Sequence, residues 1–467
     1  MHDVRDQLSD YWAGITADLA PPLAEHAMTE RIGQGDVRPV QDRPGPESRP
    51  SARRWWQQPP MVATAAAMGA VLLVALPLVL LREGNDSPAV STIDMTLPQV
   101  AGLAWARVPD SAGVFAGSGD LTMSSVVAGG PGLVAVGSDG ANGNAAVWIS
   151  ADGLAWARVP DDEAVFGGPG EQWMSSVVAG GPGLVAVGVD EASEDLDAAV
   201  WTSADGLTWT RVPRDEAVFG GPGEQSMSSV VAEGPGLVAV GWDGLEGPHA
   251  AVWTSTDGLT WAQVPDDQEV FGGVDDLRMW SVAAGGPGLV AVGGDANWDG
   301  LEMEQHAVVW TSTDGLTWTR VPDDEAAFGD VDHRPMWSVV AGGPGLVAVG
   351  WDGSEEPHAV VWTSTDGLTW VRVPDNESVF GNSGMYSVAA GGPGLVAVGA
   401  DPLRQHAAVW ASTDGTTWAR VPDSEAISGN CAMLSVVAWG SGLVAVGGEL
   451  TDDRWEAAVW VSPPGGP

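Results

Sequence analysis

The chain has 467 residues and a formal net charge of −43, and its 19 basic side chains are all arginine. That acidity repels phosphate polyanions, which need Lys and Arg to neutralise them, and so excludes nucleic acid as a partner. One cysteine, Cys431, excludes an intrachain disulfide, while 25 tryptophans and 64 glycines against two tyrosines predict an internal repeat.

The first segment, residues 1–60, opens with Val4, Leu8, Tyr11, Trp12, Ile15 and Leu19 at helical spacing, which predicts a short amphipathic helix. A proline- and arginine-rich tether follows. Residues 61–81, MVATAAAMGAVLLVALPLVLL, carry no charge. At about 1.5 Å per residue they are long enough to cross a hydrocarbon core of about 30 Å as one transmembrane helix. A cleaved signal peptide fits less well, because the run starts sixty residues in and is longer than an h-region. Arg43, Arg49, Arg53 and Arg54 precede the span and only Arg82 closely follows it. The positive-inside bias therefore puts the N-terminus in the cytoplasm, where the first segment would meet any cytoplasmic partner, and the rest outside the cell membrane. Residues 82–98 read as an extracellular linker.

From residue 99 to 467 the sequence repeats with a period near fifty residues. Each unit predicts four short strands: A (Ser-Val-Val-Ala), B (Leu-Val-Ala-Val), C (Ala-Val-Trp-Thr) and D (Leu-Thr-Trp-x-Arg-Val). Pro-Gly, from Pro131 to Pro393, predicts type II turns between A and B, and Asp-Gly predicts a tight hairpin between C and D. Strand B is apolar on both faces, as suits a strand sandwiched between sheets. The C-strand tryptophans number seven (Trp148, Trp201, Trp253, Trp310, Trp362, Trp410, Trp460), and so do the D-strand ones (Trp105, Trp156, Trp209, Trp261, Trp318, Trp370, Trp418). The first D strand precedes any A strand and the last C strand ends the chain. Closure then takes residues 103–108 into the sheet begun by residues 433–462, which removes the exposed edge of a linear array. The expected fold is an all-β seven-bladed β-propeller with its N-terminal strand closing the last blade; four antiparallel strands per unit argue against a parallel β-helix.

The C–D segments read Ser150-x-Asp152-Gly153-x-x-Trp156, and the pattern returns at Ser203, Ser255, Ser312, Ser364 and Ser412. It resembles the Asp-box of the BNR-repeat, sialidase-like propeller family, one residue shorter between Asp and Gly. The resemblance implies that Asp152, Asp205, Asp257, Asp314, Asp366 and Asp414 are structural, capping turn amides above a packed tryptophan. It also implies, for a sialidase, three arginines that clamp a carboxylate, a tyrosine nucleophile paired with a glutamate, and an aspartate acid/base. Arg107, Arg158, Arg211, Arg320, Arg372 and Arg420 share one strand-D position and read as scaffold, which leaves Arg214, Arg278, Arg334, Arg404 and Arg454, expected in loops. Tyr386 stands at the repeat position held by Trp280 and Trp337, a poor address for a unique nucleophile.

Propeller topology places the B–C and D–A loops on one rim, and these vary from blade to blade, so the ligand site is expected there. Acidic groups collect in them, as at Asp161, Asp162 and Glu163, and would attract Ca²⁺ or a cationic partner; no Asp-x-Asp-x-Asp-Gly loop is present, so no cofactor is assigned. His249, His306, His358 and His406 open strand C in four different blades, a repeat position rather than a metal site. The sharper candidates are Trp280, Trp337 and Tyr386, expected at the mouth of the channel, with Trp242, Trp298 and Trp351 on B–C loops extending the patch. Flat rings beside carboxylates suit sugars. The sequence therefore reads as a cell-surface recognition or scaffold module with a carbohydrate or protein ligand; the alternative is a sialidase-like glycoside hydrolase.

Overall fold

A computed structural model describes residues 103–462 apart from short loop stretches (111–112, 141–142, 192–195, 222, 245–246, 273–275, 299–302, 329–334, 353–356, 393, 402–405 and 453). The predicted cytoplasmic segment, span and linker (1–98) lie outside the described residues. Among the described residues no helix is long and apolar enough to cross a membrane.

The described strands form seven four-stranded antiparallel sheets, the blades of a propeller. In blades 1–6 the order is A-B-C-D in sequence. Blade 7 contains Cys431–Trp439, Gly442–Thr451 and Arg454–Ser462, and its fourth strand is Ala106–Arg107, with Ala106 opposite Val461 and Arg107 opposite Trp460. The expected closure is present. Its cost shows at the cut: in blade 7 the C–D hairpin is interrupted, and the Ser462 hydroxyl and Trp105 indole N–H have no hydrogen-bond partner among the described residues. In the other blades the equivalent indole donates to the turn glycine carbonyl, as Trp156 does to Gly153 at 2.9 Å.

The local chemistry departs from expectation in three places. Strand D is only three residues long, Trp156–Arg158 in blade 1, because the proline that follows Val159 has no N–H for the ladder. The A–B connection is a two-residue turn of Gly130 and Pro131 between the paired Gly129 and Gly132, with Gly130 at φ +56°. Positive φ thus precedes the proline, the II′ arrangement that matches strand twist, and not the type II turn. The C–D loop is five residues, 151–155, not a two-residue Asp-Gly hairpin. Asp152 Oδ1 accepts the amides of Leu154 and Ala155 at 2.9 and 2.8 Å, and Ser150 Oγ accepts the Gly153 amide at 2.9 Å. The carboxylate builds the loop.

Each strand A carries a β-bulge directly after its methionine, as between Met123 and Ser125. Methionine and the valine three residues on stay buried in the same core, while the two residues between them face the channel side. The second is always serine. Its hydroxyl accepts the valine amide of the next blade: Ser125 from Val177, Ser176 from Val230, and so on around to Ser435 from Val126, at 3.2–3.4 Å. Seven such bonds close the ring. The bulge also brings strand B's glycine against the partner backbone: a Cβ on Gly137 would run into the Thr122 carbonyl, and one on Gly293 into that of Arg278. Hence the recurring Leu-Val-Ala-Val-Gly.

Between adjacent sheets lie apolar clusters such as Val134, Val136 and Val147 of blade 1 with Met174, Leu184 and Trp201 of blade 2. Strand B is buried on both faces, as Val134, Ala135 and Val136 show at 0 % exposure. Every C-strand indole donates to a carbonyl in the connection leading into its blade, from Trp148 to Val114 at 2.9 Å to Trp460 to Ala426 at 2.8 Å. This ties the D–A connections to the blades they precede.

Two outcomes follow. Ser281→Ala strands the buried Val339 amide and should lower unfolding free energy by about 1–3 kcal/mol, measured by denaturant titration. The turn carboxylates are held below the usual aspartate range by accepted amides; for Asp414, burial works the other way but is outweighed by the amides of Thr417 and Thr416, and the value is about 2. A depressed folded-state pKa contributes stability that is complete above the unfolded carboxylate's range, about pH 4, and is lost as pH falls through the folded value. The Tm difference between the native chain and Asp414→Asn should therefore be present at pH 5 and shrink towards nothing by about pH 2.

Candidate functional site

The first residue of each bulge, unlike the second, makes no bond in the ring, and here the blades differ. Blades 1–3 carry Ser124, Ser175 and Ser228; blades 4–6 carry Trp280, Trp337 and Tyr386; blade 7 carries Leu434. All seven line one cavity of about 400 Å³, within the range of small-molecule sites. The other lining residues include Asp120 and Glu171 from the ends of D–A connections and Asp139 and Gly140 from the B–C side, so the cavity opens on the rim of the variable loops. The mouth is two-sided. Hydroxyls and carboxylates of blades 1–3, with Trp173 of blade 2 among them, face an arc of aromatics from blades 4–6.

Trp280 and Trp337 have ring centroids 4.8 Å apart and an interplanar angle of 31°. Tyr386 borders Gly384, which also adjoins the Trp351 ring. The structure separates Trp242 and Trp351 from the loops where they were expected: both lie on strand B, at Leu237–Gly244 and Gly345–Asp352. Trp242 is 1 % exposed and packs with Leu196, Trp173 and Trp280, under the Arg278 guanidinium at 4.8 Å from its ring. It supports the aromatic arc from below and does not reach the cavity, because strand B lies one place further from the channel than strand A. Trp351 is half-buried and is likewise not among the lining residues. Strand B of blade 4 runs to Trp298.

The strand-D arginines are engaged by acids at the far end of strand B. Arg158 meets Asp139 at 2.7 Å, Arg420 meets Asp401 at 3.2 Å, and Arg211 pairs with Asp190. Blade 3 has Gln263 at this position, and Asp243, bonded to it but lacking the cation, has its carboxyl pushed up by burial. Of the arginines expected in loops, Arg278 and Arg454 are strand residues, on Asp276–Gly285 and Arg454–Ser462, because these strands extend beyond the repeat consensus. Arg278 is pushed down to about 10 by burial. Arg214 pairs with Asp197 at 2.7 Å, and Arg334 and Arg404 lie outside the described residues. Among the described residues no arginine lines the cavity, which carries Asp120, Asp139 and Glu171.

The acidic loops take local roles: Asp162 caps the short helix Glu163–Phe166 and Asp161 accepts from Asn144. His306 bonds Asp295 of its own blade and His358 bonds Glu377 of the connection that follows its blade, each at 2.8 Å. Among the described residues no group of His, Cys, Asp or Glu is arranged to hold a metal ion.

Gln172 and Trp173 were not singled out from the sequence. They stand just before Met174 and line the cavity. Gln172 is 1 % exposed; its amide nitrogen donates to Gly170 O at 3.0 Å and Asp190 Oδ1 at 2.9 Å. Two acceptors there set the amide orientation and leave Oε1 as a buried acceptor without a partner. The Trp337 indole N–H is a buried donor in the same condition. Position was the available signal for Trp173, which one place before the methionine shares the channel side, whereas Gln172, two places before, shares the methionine's face.

No protein-family model matches the sequence, and no curated protein matches it. Among solved structures, the chain is similar to Trypanosoma rangeli sialidase in complex with the inhibitor DANA, at 14% identity and TM-score 0.29, over 50% of this chain and 54% of that one. It is also similar to Kuenenia stuttgartiensis hydrazine synthase, at 11% identity and TM-score 0.45, over 72% and 94%, and to a Lactobacillus plantarum protein, at 11% identity and TM-score 0.41, over 66% and 85%. The match spans about half the length of the sialidase. Likenesses this distant carry no argument about chemistry.

Proposed function

We propose that the propeller is a recognition module that takes carbohydrate at the mouth formed by the seven bulges. The observation that carries this reading is the division of that mouth between three serines and three aromatics on consecutive blades. A pyranose has one face of C–H groups for ring stacking and a periphery of hydroxyls for hydrogen bonds, and the two arcs answer to these in turn. The six Ser-x-Asp-Gly-x-x-Trp loops support kinship with Asp-box, sialidase-like propellers. The uncharged run 61–81 and the arginine bias around it support a single membrane span with the N-terminus in the cytoplasm and the propeller outside.

A second reading, a glycoside hydrolase, is favoured by one observation: Tyr386 lines the same cavity as the carboxylates of Asp120 and Glu171. The absence of arginine from the described lining weighs against an anionic sugar as its substrate.

On a glycan array, the full chain in detergent should retain a defined set of oligosaccharides. Trp280→Ala and Trp337→Ala should each weaken that binding by about ten-fold, with no turnover of fluorogenic glycosides. Turnover abolished by Tyr386→Phe would sink the binding-only reading. For the anchor, the chain should resist alkaline carbonate extraction, and external protease should reach the propeller while sparing residues 1–60; release into the carbonate supernatant refutes it.

A further inference from the structure

The large apolar groups left exposed on the propeller collect on the rim opposite the mouth, which the A–B turns and C–D loops share. Leu154, Leu207, Leu259, Leu316 and Leu368 are between 53 and 61 % exposed. They hold one place in the C–D loops of blades 1–5, directly after the turn glycine. The only other large hydrophobic so exposed among the described residues is Val371, on the outer strand of blade 5. Exposed prolines of the A–B turns stand against the loops of the next blade: a Cβ on Gly206 would meet Pro131 Cδ at 2.8 Å, and one on Gly367 would meet Pro287 Cδ at 3.0 Å.

The loop itself does not require leucine. Blade 6 builds the same loop with Thr416. There Asp414 Oδ1 accepts the amides of Thr416 and Thr417 at 2.8 and 2.7 Å, as Asp314 Oδ1 accepts those of Leu316 and Thr317 at 2.9 and 2.7 Å. Leucine repeated at five such places adds nothing to the loop and offers water an apolar arc, the mark of an interaction surface.

The place of this rim along the chain says what covers it. Ala106 pairs opposite Val461 in an antiparallel ladder, so the chain enters the propeller from this rim, with Leu103 at the leucine place of blade 7. Only residues 82–102 separate that entry from the uncharged run ending at Leu81, and at full extension they would reach no further than about 75 Å.

We infer that the leucine rim rests on the lipid bilayer that holds the span, with the five side chains at the boundary of headgroups and acyl chains and the mouth turned away from the membrane. This rests on the membrane-anchor reading and adds which face meets lipid. Tethering raises the effective concentration of the rim at the bilayer, so five shallow contacts suffice where a free propeller would bind weakly. Asp152 and its counterparts are exposed in the same loops, which suits zwitterionic headgroups and disfavours anionic ones.

The test is fluorescence quenching on the full chain reconstituted into phosphatidylcholine vesicles that carry headgroup nitroxides. The fluorophore sits on Thr416→Cys, at the leucine place of blade 6, or on Ala164→Cys, in the short helix of the opposite rim; the native Cys431 is buried. Quenching at 416 should exceed that at 164 by about three-fold, and adding phosphatidylglycerol should reduce the difference. Changing Leu154, Leu207, Leu259, Leu316 and Leu368 to threonine, as blade 6 already has, should leave Tm unchanged and bring quenching at 416 down to the level at 164. Equal quenching at the two positions, which needs no leucine variant to observe, overturns the lipid-facing rim and leaves the anchor reading standing. So does a difference that survives the leucine changes in a folded chain. An unquenched label at 416 that transfers energy to a second labelled copy, and ceases to without the leucines, overturns it in favour of self-association. A chain that does not float with the vesicles overturns both.

Discussion

Seven serine hydroxyls, each accepting a valine amide of the next blade, are the interaction on which the rest of the molecule depends. Strand A is the edge of its sheet, so that amide points away from the ladder and would be buried without a partner, a loss on the order of 1–3 kcal/mol each time. The neighbouring serine answers it, and the bond from Val126 to Ser435 joins the last blade to the first. Closure is thus secured twice, at the channel by this ring and at the outer edge by Ala106–Arg107 pairing with the final strand.

The bulge in strand A creates the candidate site. It places two successive residues on the channel side, only one of which the ring requires. The other is released from the repeat, and the seven blades use it for three serines, three aromatics and a leucine around one cavity. Methionine beneath it stays fully buried in every blade, so variation at the mouth does not disturb the packing between sheets. The same economy governs charge. Strand-D arginines are taken up by acids of strand B, which leaves the cavity edge with carboxylates and no described cation.

Much of this was legible in order of residues. Two tallies of seven tryptophans gave the blade count, and a first D strand with no A strand before it gave the closure. The burial of strand B followed from its apolar faces. Trp280, Trp337 and Tyr386 were recognisable because they share one place after methionine where other blades have serine. Turn geometry was less legible: glycine both precedes and follows each proline, and only the register of Gly129 with Gly132 tells which of them turns the chain. Trp242 and Trp351 misled because strands B of these blades run beyond the consensus, turning apparent loop residues into strand ones.

By itself the sequence determined the number of blades, the strand that closes them and the residues free to vary, since all three are properties of a repeat counted along a chain. Only the tertiary structure decided that seven positions some fifty residues apart meet at one cavity. It also decided that Trp242 lies under that cavity, not in it, and that Gln172 is left with an unanswered oxygen. The physical reason is that hydrogen bonding is satisfied locally in strands and turns, where neighbours in sequence can be read, whereas the mouth is made of residues whose partners belong to other blades.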